Sequence, residues 1–344
     1  MGEGITIVSP ELTPTRGGLA DYTKQVIAHW PGPENIVTLV PRARNREALR
    51  ESLTRVGGAV LVQYSAYGFD RYGYPRWLID GLIDWKERSR GRLVLMFHEI
   101  WTFWPWWNKN FVVQVLHRRA VRRLLRIADA VFTTTESQAG YLSGLTPGIE
   151  VRVLPVGSNI LPQKLADTRT ELGTAINFGM QGTRLKALRE ISGDLQRLAA
   201  SKILRRIICV GGGNSESGDE TEREILQSFP LSGGFAQLGS LPRSDVSELL
   251  STAQFGIAAQ DPLSYTKSGT LMAYAAHGLN ILSPHARRAA PQPTSFFTSP
   301  AELLAGIAPD ELQQRARGLQ AWYERVASWP EIAQTLARAM QSSS

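Results

Sequence analysis

The stretch QFGIAAQDPLSYTKSGTLMAYAAHGLNILS, residues 254–283, decides the fold. Two short apolar segments, 254–258 and 280–283, flank an Ala-rich helical segment over 268–277. A strand, a helix and a second strand in this order predict a β-α-β unit with parallel strands. Ligands of such units bind beyond the carboxyl ends of the strands, so the loop after the first strand is a candidate binding site.

This loop is rich in hydroxyl groups and ends where the helix begins. A glycine at the helix start lets backbone amides approach a ligand, and the positive end of the helix dipole points to the same place. The neighbouring lysine adds a positive charge. We therefore predict that this is the strongest phosphate site in the chain, formed by Lys267, Ser268, Gly269 and Thr270.

The same alternation of strands and helices runs through the whole chain and restarts after a polar segment at 156–173. The predicted strands lie at 5–9, 36–40, 59–64, 92–97, 130–134, 150–155, 174–179, 206–210, 235–239, 254–258 and 280–283. The predicted helices lie at 19–29, 45–55, 76–88, 109–127, 136–142, 184–199, 219–228, 243–251, 268–277, 309–327 and 331–340, with Pro330 breaking the last two. Continuous apolar strands between amphipathic helices predict an α/β protein with two Rossmann-like, doubly wound domains facing a central cleft.

The composition agrees with this class. A chain of 344 residues suggests about two domains, and 43% apolar with 20% charged residues is ordinary globular composition. No apolar run approaches the roughly 20 residues of a membrane helix, and the first residues lack the pattern of a signal peptide. Cys209 is the only cysteine, which excludes an internal disulfide and predicts a cytoplasmic protein.

The formal charge is +7, from 38 basic and 31 acidic residues, and it favours anionic partners. The segment HRRAVRRLLRIADA, 117–130, holds five arginines. At helical spacing Arg118, Arg122 and Arg126 form one row. This row fits a solvated helix face, a helix lying against the inner face of an anionic membrane, or a nucleic-acid contact. We expect no nucleic acid, because no recognition motif for it is present.

Two loops of the first half carry candidate residues. In SPELTPTRGGLADYT, 9–23, Gly17 and Gly18 allow close backbone approach, and Asp21 is either a helix-start charge or a cleft residue. The loop lacks the Gly-x-Gly-x-x-Gly pattern, which disfavours a nicotinamide-dependent enzyme. In YSAYGFDRYGYPRW, 64–77, Tyr64 and the other tyrosines suit a polyhydroxyl ligand, although a plain surface loop fits equally well.

The segment HEIWTFWPWWNKN, 98–110, follows a predicted strand. His98 ends that strand and is a candidate base or hydrogen-bond donor, and Glu99 either orients it or binds a hydroxyl. Four tryptophans follow without helical or alternating periodicity, and they line an acceptor or pack against one another: Trp101, Trp104, Trp106 and Trp107.

Two loops of the second half contain glycines near a strand end. In FGMQGTRLKALRE, 178–190, Arg184 and Lys186 stand where a helix begins, which fits a diphosphate site or ordinary solvated charges. In VGGGNSESGDE, 210–220, acidic residues crowd the glycines, so we interpret it as a flexible loop.

These motifs, in this order, resemble the two-domain GT-B glycosyltransferases, in particular the large retaining family-four type that includes sucrose synthases and mannosyl transferases. The resembling segments are RGGLADYT (16–23), LPVGSNI (154–160), AYAAHGLNIL (273–282) and WYERVASWPEIAQTL (322–336). The resemblance implies an acceptor-binding domain at 1–158, a donor-binding domain at 159–322 and a closing helix over 323–344 that crosses back to the first domain.

The resemblance also implies a sugar transfer with retention, from a nucleotide-sugar donor and without a cofactor or metal. The donor would meet Arg184, Lys186 and the loop Lys267–Thr270. The acceptor, a glycan, a lipid-linked sugar or a small molecule, would lie near the first-domain candidates: Gly17, Gly18, Asp21, Tyr64, His98, Glu99, Trp101 and Trp104.

The chain departs from the family at two positions. Alignment on Gly278 places Tyr265 and Ala273 where the family carries a pair of glutamates that contact the donor. Two hypotheses follow: an active hexosyltransferase, and an inactive relative that binds a nucleotide sugar or a partner protein.

Overall fold

The computed structural model describes residues 5–12, 18–32, 36–41, 44–56, 58–89, 91–100, 105–108, 111–163, 170–213 and 215–341. The chain forms two compact units. The first consists of Met1–Val156 together with Trp329–Ser344, and the second of Gly157–Ser328. Each unit is built on a parallel sheet, so the predicted α/β class with two Rossmann-like domains is confirmed.

The sheet of the first unit has the strand order β2-β1-β3-β4-β5-β6, with all pairs parallel. The strands are β1 (Ile5–Val8), β2 (Ile36–Leu39), β3 (Ala59–Ser65), β4 (Leu93–Glu99), β5 (Ala130–Thr133) and β6 (Val151–Val153). The helices are α1 (Gly18–Ala28), α2 (Arg46–Val56), α3 (Ala66–Phe69), α4 (Arg76–Ser89), α5 (Phe111–Leu125), α6 (Glu136–Leu145) and α14 (Trp329–Met340).

Both faces of this sheet are buried, which explains why its strands are continuously apolar. Successive side chains of a strand point to opposite faces. Leu93, Leu95 and Phe97 of β4 join one core cluster, whereas Val94 and Met96 join the other.

Helix α14 supplies much of the second cluster. Trp329, Ile332 and Leu336 lie on one side of this helix and are buried against α1 and the sheet. Pro330 was predicted to break the helices, but it lies in the first turn of α14. A proline is tolerated there because its missing N–H has no partner within the helix. The helix therefore begins one residue before Pro330.

The sheet of the second unit has the order β11-β10-β7-β8-β9, again with parallel pairs. The strands are β7 (Glu171–Phe178), β8 (Arg206–Val210), β9 (Phe235–Gln237), β10 (Ala253–Ile257) and β11 (Asn280–Leu282). The helices are α7 (Gln181–Glu190), α8 (Ser192–Ala200), α9 (Glu216–Gln227), α10 (Arg243–Thr252), α11 (Gly269–Ala276), α12 (Pro300–Leu304) and α13 (Pro309–Val326), with 3₁₀ turns at Pro262–Lys267 and Thr294–Phe296.

Among the helices that the structure describes, none combines the length and the apolar character that crossing a bilayer requires.

We expect Leu336→Ala to lower the free energy of unfolding of the first unit by about 2–5 kcal/mol, because the side chain is fully buried and a cavity would remain. Urea unfolding followed by circular dichroism measures the change. Gln334→Ala on the exposed side of α14 is the control and should change stability little. Equal effects of the two substitutions would contradict the packing described for α14.

Candidate functional site

The second sheet has a topological switch point between β7 and β10. The chain passes from β7 to β8 and β9 on one side and then returns to β10 on the other side. The loops after β7 and β10 therefore diverge at the carboxyl edge, which is where open α/β sheets bind ligands. The loop after β10 leads through the 3₁₀ turn into α11.

Glycines bring two loops into contact at this edge. Gly179, after β7, and Gly211, after β8, have φ of 137° and 136°, a region that favours glycine. A Cβ on Gly211 would lie 2.0 Å from the carbonyl oxygen of Gly179, so residue 211 must be glycine for the loops to touch. The sequence interpretation of 210–220 as a flexible loop missed this contact, although the glycine directly after each strand was the available signal.

The first turn of α11 lies beside the same contact. A Cβ built on Gly179 would lie 3.1 Å from Oγ1 of Thr270, which places the threonine hydroxyl next to that backbone. Gly269 faces open space, since no atom lies within 4 Å of its ideal Cβ position. The amides of a first helical turn have no partner within the helix, so the amides of Gly269 and Thr270 are suited to an anion.

The two residues before Gly269 have different roles. Ser268 is the N-cap of α11: its Oγ accepts a 3.2 Å hydrogen bond from the amide of Leu271, and its own amide donates to the carbonyl of Tyr265. Its side chain therefore stabilises the helix start. Lys267 is exposed at the end of the 3₁₀ turn and adds a positive charge next to this turn.

Arg184 occupies a different place from the one predicted. Its side chain is buried, and its Nε and Nη2 donate to the two carboxylate oxygens of Glu222 at 2.8 and 3.2 Å. Its Nη1 donates to the carbonyl oxygens of Gly179 and Gly211 at 2.8 and 3.1 Å. The prediction that Arg184 contacts the donor is corrected: the guanidinium holds the two glycine loops together from inside the domain.

Lys186 lies two residues further along α7 and is exposed. Two helical residues are about 200° apart around the axis, so Arg184 and Lys186 point to different sides. This geometry explains why only one of the two cations reaches solvent.

Tyr265 and Ala273 are both buried. The Tyr265 hydroxyl lies 3.1 Å from Oγ of Ser283, and burial raises the pKa of this phenol to about 12. Ala273 lies on the inner side of α11. Both positions therefore belong to the domain interior in this chain.

In the first unit, His98 stands at an irregularity of the sheet. Tyr64 pairs with Phe97 but Ser65 pairs with Glu99, so His98 is an extra residue on β4. Such bulges redirect a side chain and are common beside active sites. His98 is buried, and its Nε2 lies 2.6 Å from Oε1 of Gln63.

The candidates Asp21 and Glu99 lie in α1 and at the end of β4. The ring of Tyr22, in α1, packs edge-on against His98 with centroids 4.6 Å apart. Asp21 precedes it in the first turn of α1 and is half-buried. Glu99 is exposed, and its Oε2 accepts a 3.1 Å hydrogen bond from Oγ of Ser65. The sequence analysis did not single out Gln63 and Ser65, the residues of β3 on either side of Tyr64.

Of the remaining acceptor candidates of the first unit, the structure describes only some. Gly18 begins α1, is exposed and has open space beside its ideal Cβ position. Gly17, Trp101 and Trp104 lie outside the described residues.

Tyr64 is not available to an acceptor, which corrects the prediction. Its side chain is fully buried on the face of β3 that packs against α5, and its hydroxyl is hydrogen-bonded to Nε2 of His117. Burial raises the pKa of Tyr64 and lowers that of His117 to about 4. The alternation of the strand gives the physical reason, since Gln63 and Ser65 take the opposite side.

Trp106 and Trp107 are exposed and touch each other edge-to-face, with ring centroids 5.7 Å apart. Within the described ranges, no group of three or more His, Cys, Asp or Glu side chains is placed to hold a metal ion.

No protein-family profile matches the sequence, and no curated protein matches it. Solved structures do match it. HepE of Anabaena, in complex with UDP and glucose, has a TM-score of 0.57 at 9% identity, with 98% of this chain and 99% of that chain covered. Sucrose-phosphate synthase from Thermosynechococcus elongatus has a TM-score of 0.55 at 13% identity, with 98% of each chain covered.

An α-glucosyltransferase in complex with UDP and a 13-mer DNA containing an HMU base has a TM-score of 0.55 at 10% identity, with 98% of this chain and 99% of that chain covered. The matched structures share the two-domain Rossmann-like GT-B fold of glycosyltransferases. The chain therefore has the GT-B fold.

The role of Arg184 can be tested by stability. We expect Arg184→Met to lower the free energy of unfolding of the second unit by about 3–5 kcal/mol, because Glu222 would keep a buried, unpaired charge. The double variant Arg184→Met/Glu222→Met should recover part of the loss. Urea unfolding measures both. A single variant as stable as wild type would contradict the structural role.

Proposed function

We propose that the protein is a glycosyltransferase that moves a sugar from a nucleotide-sugar donor to a glycan, a lipid-linked sugar or a small-molecule acceptor. One observation carries the proposal: the glycine loops after β7 and β8 and the open first turn of α11 meet at the switch-point edge of the second sheet. The GT-B fold supports it, because structures with this fold hold UDP.

In this proposal the second unit binds the donor diphosphate. The amides of Gly269 and Thr270 donate to phosphate oxygens, and Lys267 supplies a cation. Negative charge grows on the diphosphate as the sugar leaves, so donors that are already in place stabilise the transition state. The proposed reaction does not require a metal ion.

The first unit supplies the groups that act on the acceptor. His98 stands on the bulge of β4 with its Nε2 hydrogen-bonded to the side chain of Gln63, which suits a group that accepts or positions a hydroxyl proton. Glu99 and Asp21 are proposed to bind acceptor hydroxyls beside it. We further propose retention of anomeric configuration, with a donor phosphate oxygen assisting deprotonation of the acceptor.

Donor binding is tested by filling the space beside α11. We expect Gly269→Val to weaken UDP binding about tenfold or more, because the side chain occupies the phosphate position. Gly193→Val is the matched control, since Gly193 also lies in a first helical turn with no atom within 4 Å of its ideal Cβ position. Isothermal titration of both folded variants with UDP measures the effect.

Lys267→Ala should also weaken UDP binding, whereas Arg189→Ala in the last turn of α7 should leave it unchanged. If Gly269→Val and Lys267→Ala both bind UDP like wild type, the donor diphosphate does not bind at the start of α11. UDP binding without release of nucleotide from any UDP-sugar, even with cell-extract acceptors, would favour the inactive relative.

His98 is tested by kinetics. We expect His98→Ala to lower kcat about 100-fold or more while the KM for the donor changes little, because general acid–base groups contribute at this scale. His29→Ala, at the C-terminal end of α1, is the control. The measurement is nucleotide release from the sugar donor with acceptor present. Unchanged kcat in His98→Ala would remove this residue from the reaction.

A further inference from the structure

Helix α5 carries an outward stripe that the proposed reaction does not use. Five exposed residues follow one another at spacings of four and three, which keeps them on one side of the helix. They are Val112, Leu116, Arg119 and Arg123 of the helix and Arg126, which follows its last residue. The opposite side of α5 is buried against the domain core through Val121, Leu124 and Leu125. The stripe is therefore a surface of a firmly packed helix.

One end of the stripe is apolar. Val112 and Leu116 are 63% and 41% exposed, and in the preceding turn Trp106 and Trp107 are 76% and 73% exposed. This turn is hydrogen-bonded to the helix start, because the amide of Phe111 donates to the carbonyl of Asn108. Large apolar side chains grouped at a surface in this way mark an interaction site.

The other end of the stripe is basic. Arg119 and Arg126 are exposed, and the Arg123 side chain is 58% exposed although its Nη1 donates to Asp80. Of the row that the sequence predicts, Arg118 is half-buried, whereas Arg122 and Arg126 are exposed. Arg118 lies over the ring of Tyr141, and Nε of Arg122 donates to the carbonyl of Leu145. The arginines of the outward stripe are Arg119, Arg123 and Arg126, and the exposed Arg122 lies beside it.

We propose that this stripe docks the protein on an anionic phospholipid bilayer. Tryptophan rings and aliphatic side chains enter the interface, while guanidinium groups pair with lipid phosphates at the headgroup level. Both halves of the stripe then have a partner. A nucleic acid would satisfy the arginines but leave the exposed Trp106 and Trp107 without an apolar partner, and the net charge of +7 adds to attraction toward an anionic surface.

The test is co-sedimentation of the full chain with vesicles. Vesicles of phosphatidylcholine with phosphatidylglycerol should bind the protein, and vesicles of phosphatidylcholine alone should not. We expect Arg119→Gln/Arg126→Gln to weaken binding about tenfold or more, since each arginine near the surface contributes to the attraction. Trp106→Ser/Trp107→Ser should weaken it through loss of apolar insertion. High salt should reduce binding by the wild type.

Arg223→Gln/Arg317→Gln is the matched control, because it removes the same charge from exposed positions of α9 and α13. Equal loss in this control would show that only net charge matters and would overturn the proposal. The proposal would also fall if both vesicle types bound equally or neither bound.

Two other outcomes assign the surface to a different partner and overturn the proposal. One is tight binding of duplex DNA that is lost in Arg119→Gln/Arg126→Gln while vesicles do not bind. The other is a wild-type dimer in sedimentation that Trp106→Ser/Trp107→Ser converts to a monomer. UDP titration of the stripe variants should match wild type, which separates this proposal from the proposed donor site.

Discussion

The buried guanidinium of Arg184 is the constraint on which the candidate donor site depends. It pairs with both carboxylate oxygens of Glu222 and donates to the carbonyls of Gly179 and Gly211. These contacts fix two loops at the carboxyl edge of the second sheet, and Thr270 of α11 lies against one of them. A first helical turn offers its amides effectively only when its surroundings hold it in place, so the inner ion pair supports the proposed anion site.

Both units have a parallel sheet with one switch point, but the groups at the carboxyl edges of the two sheets differ. In each, the strand order reverses once, between β1 and β3 in the first unit and between β7 and β10 in the second. The second edge has glycines, backbone amides and a lysine, which suit a diphosphate. The first has His98 on a bulge and Glu99 held by Ser65, which suit hydroxyl groups. In the proposed reaction, donor and acceptor are therefore recognised by different kinds of group.

The fold and the helix start at Gly269 could be predicted from sequence because they depend on local signals, namely continuous apolar strands and glycine at a helix start. The direction in which a side chain points could not be predicted in this way. Arg184 and Lys186 look equivalent in sequence, and only the packing of α7 shows that Glu222 holds the first. Tyr64 resembles the other loop tyrosines, yet it is the penultimate residue of a strand and points to the core. The extra residue at His98 and the outward stripe of α5 likewise depend on tertiary pairing.

A crystal structure of the full chain grown with UDP would show where the donor binds. We expect the diphosphate at the start of α11, with phosphate oxygens within hydrogen-bond distance of the Gly269 and Thr270 amides and Arg184 still paired with Glu222. A diphosphate bound elsewhere, or an Arg184 that leaves Glu222 to contact the nucleotide, would contradict this expectation.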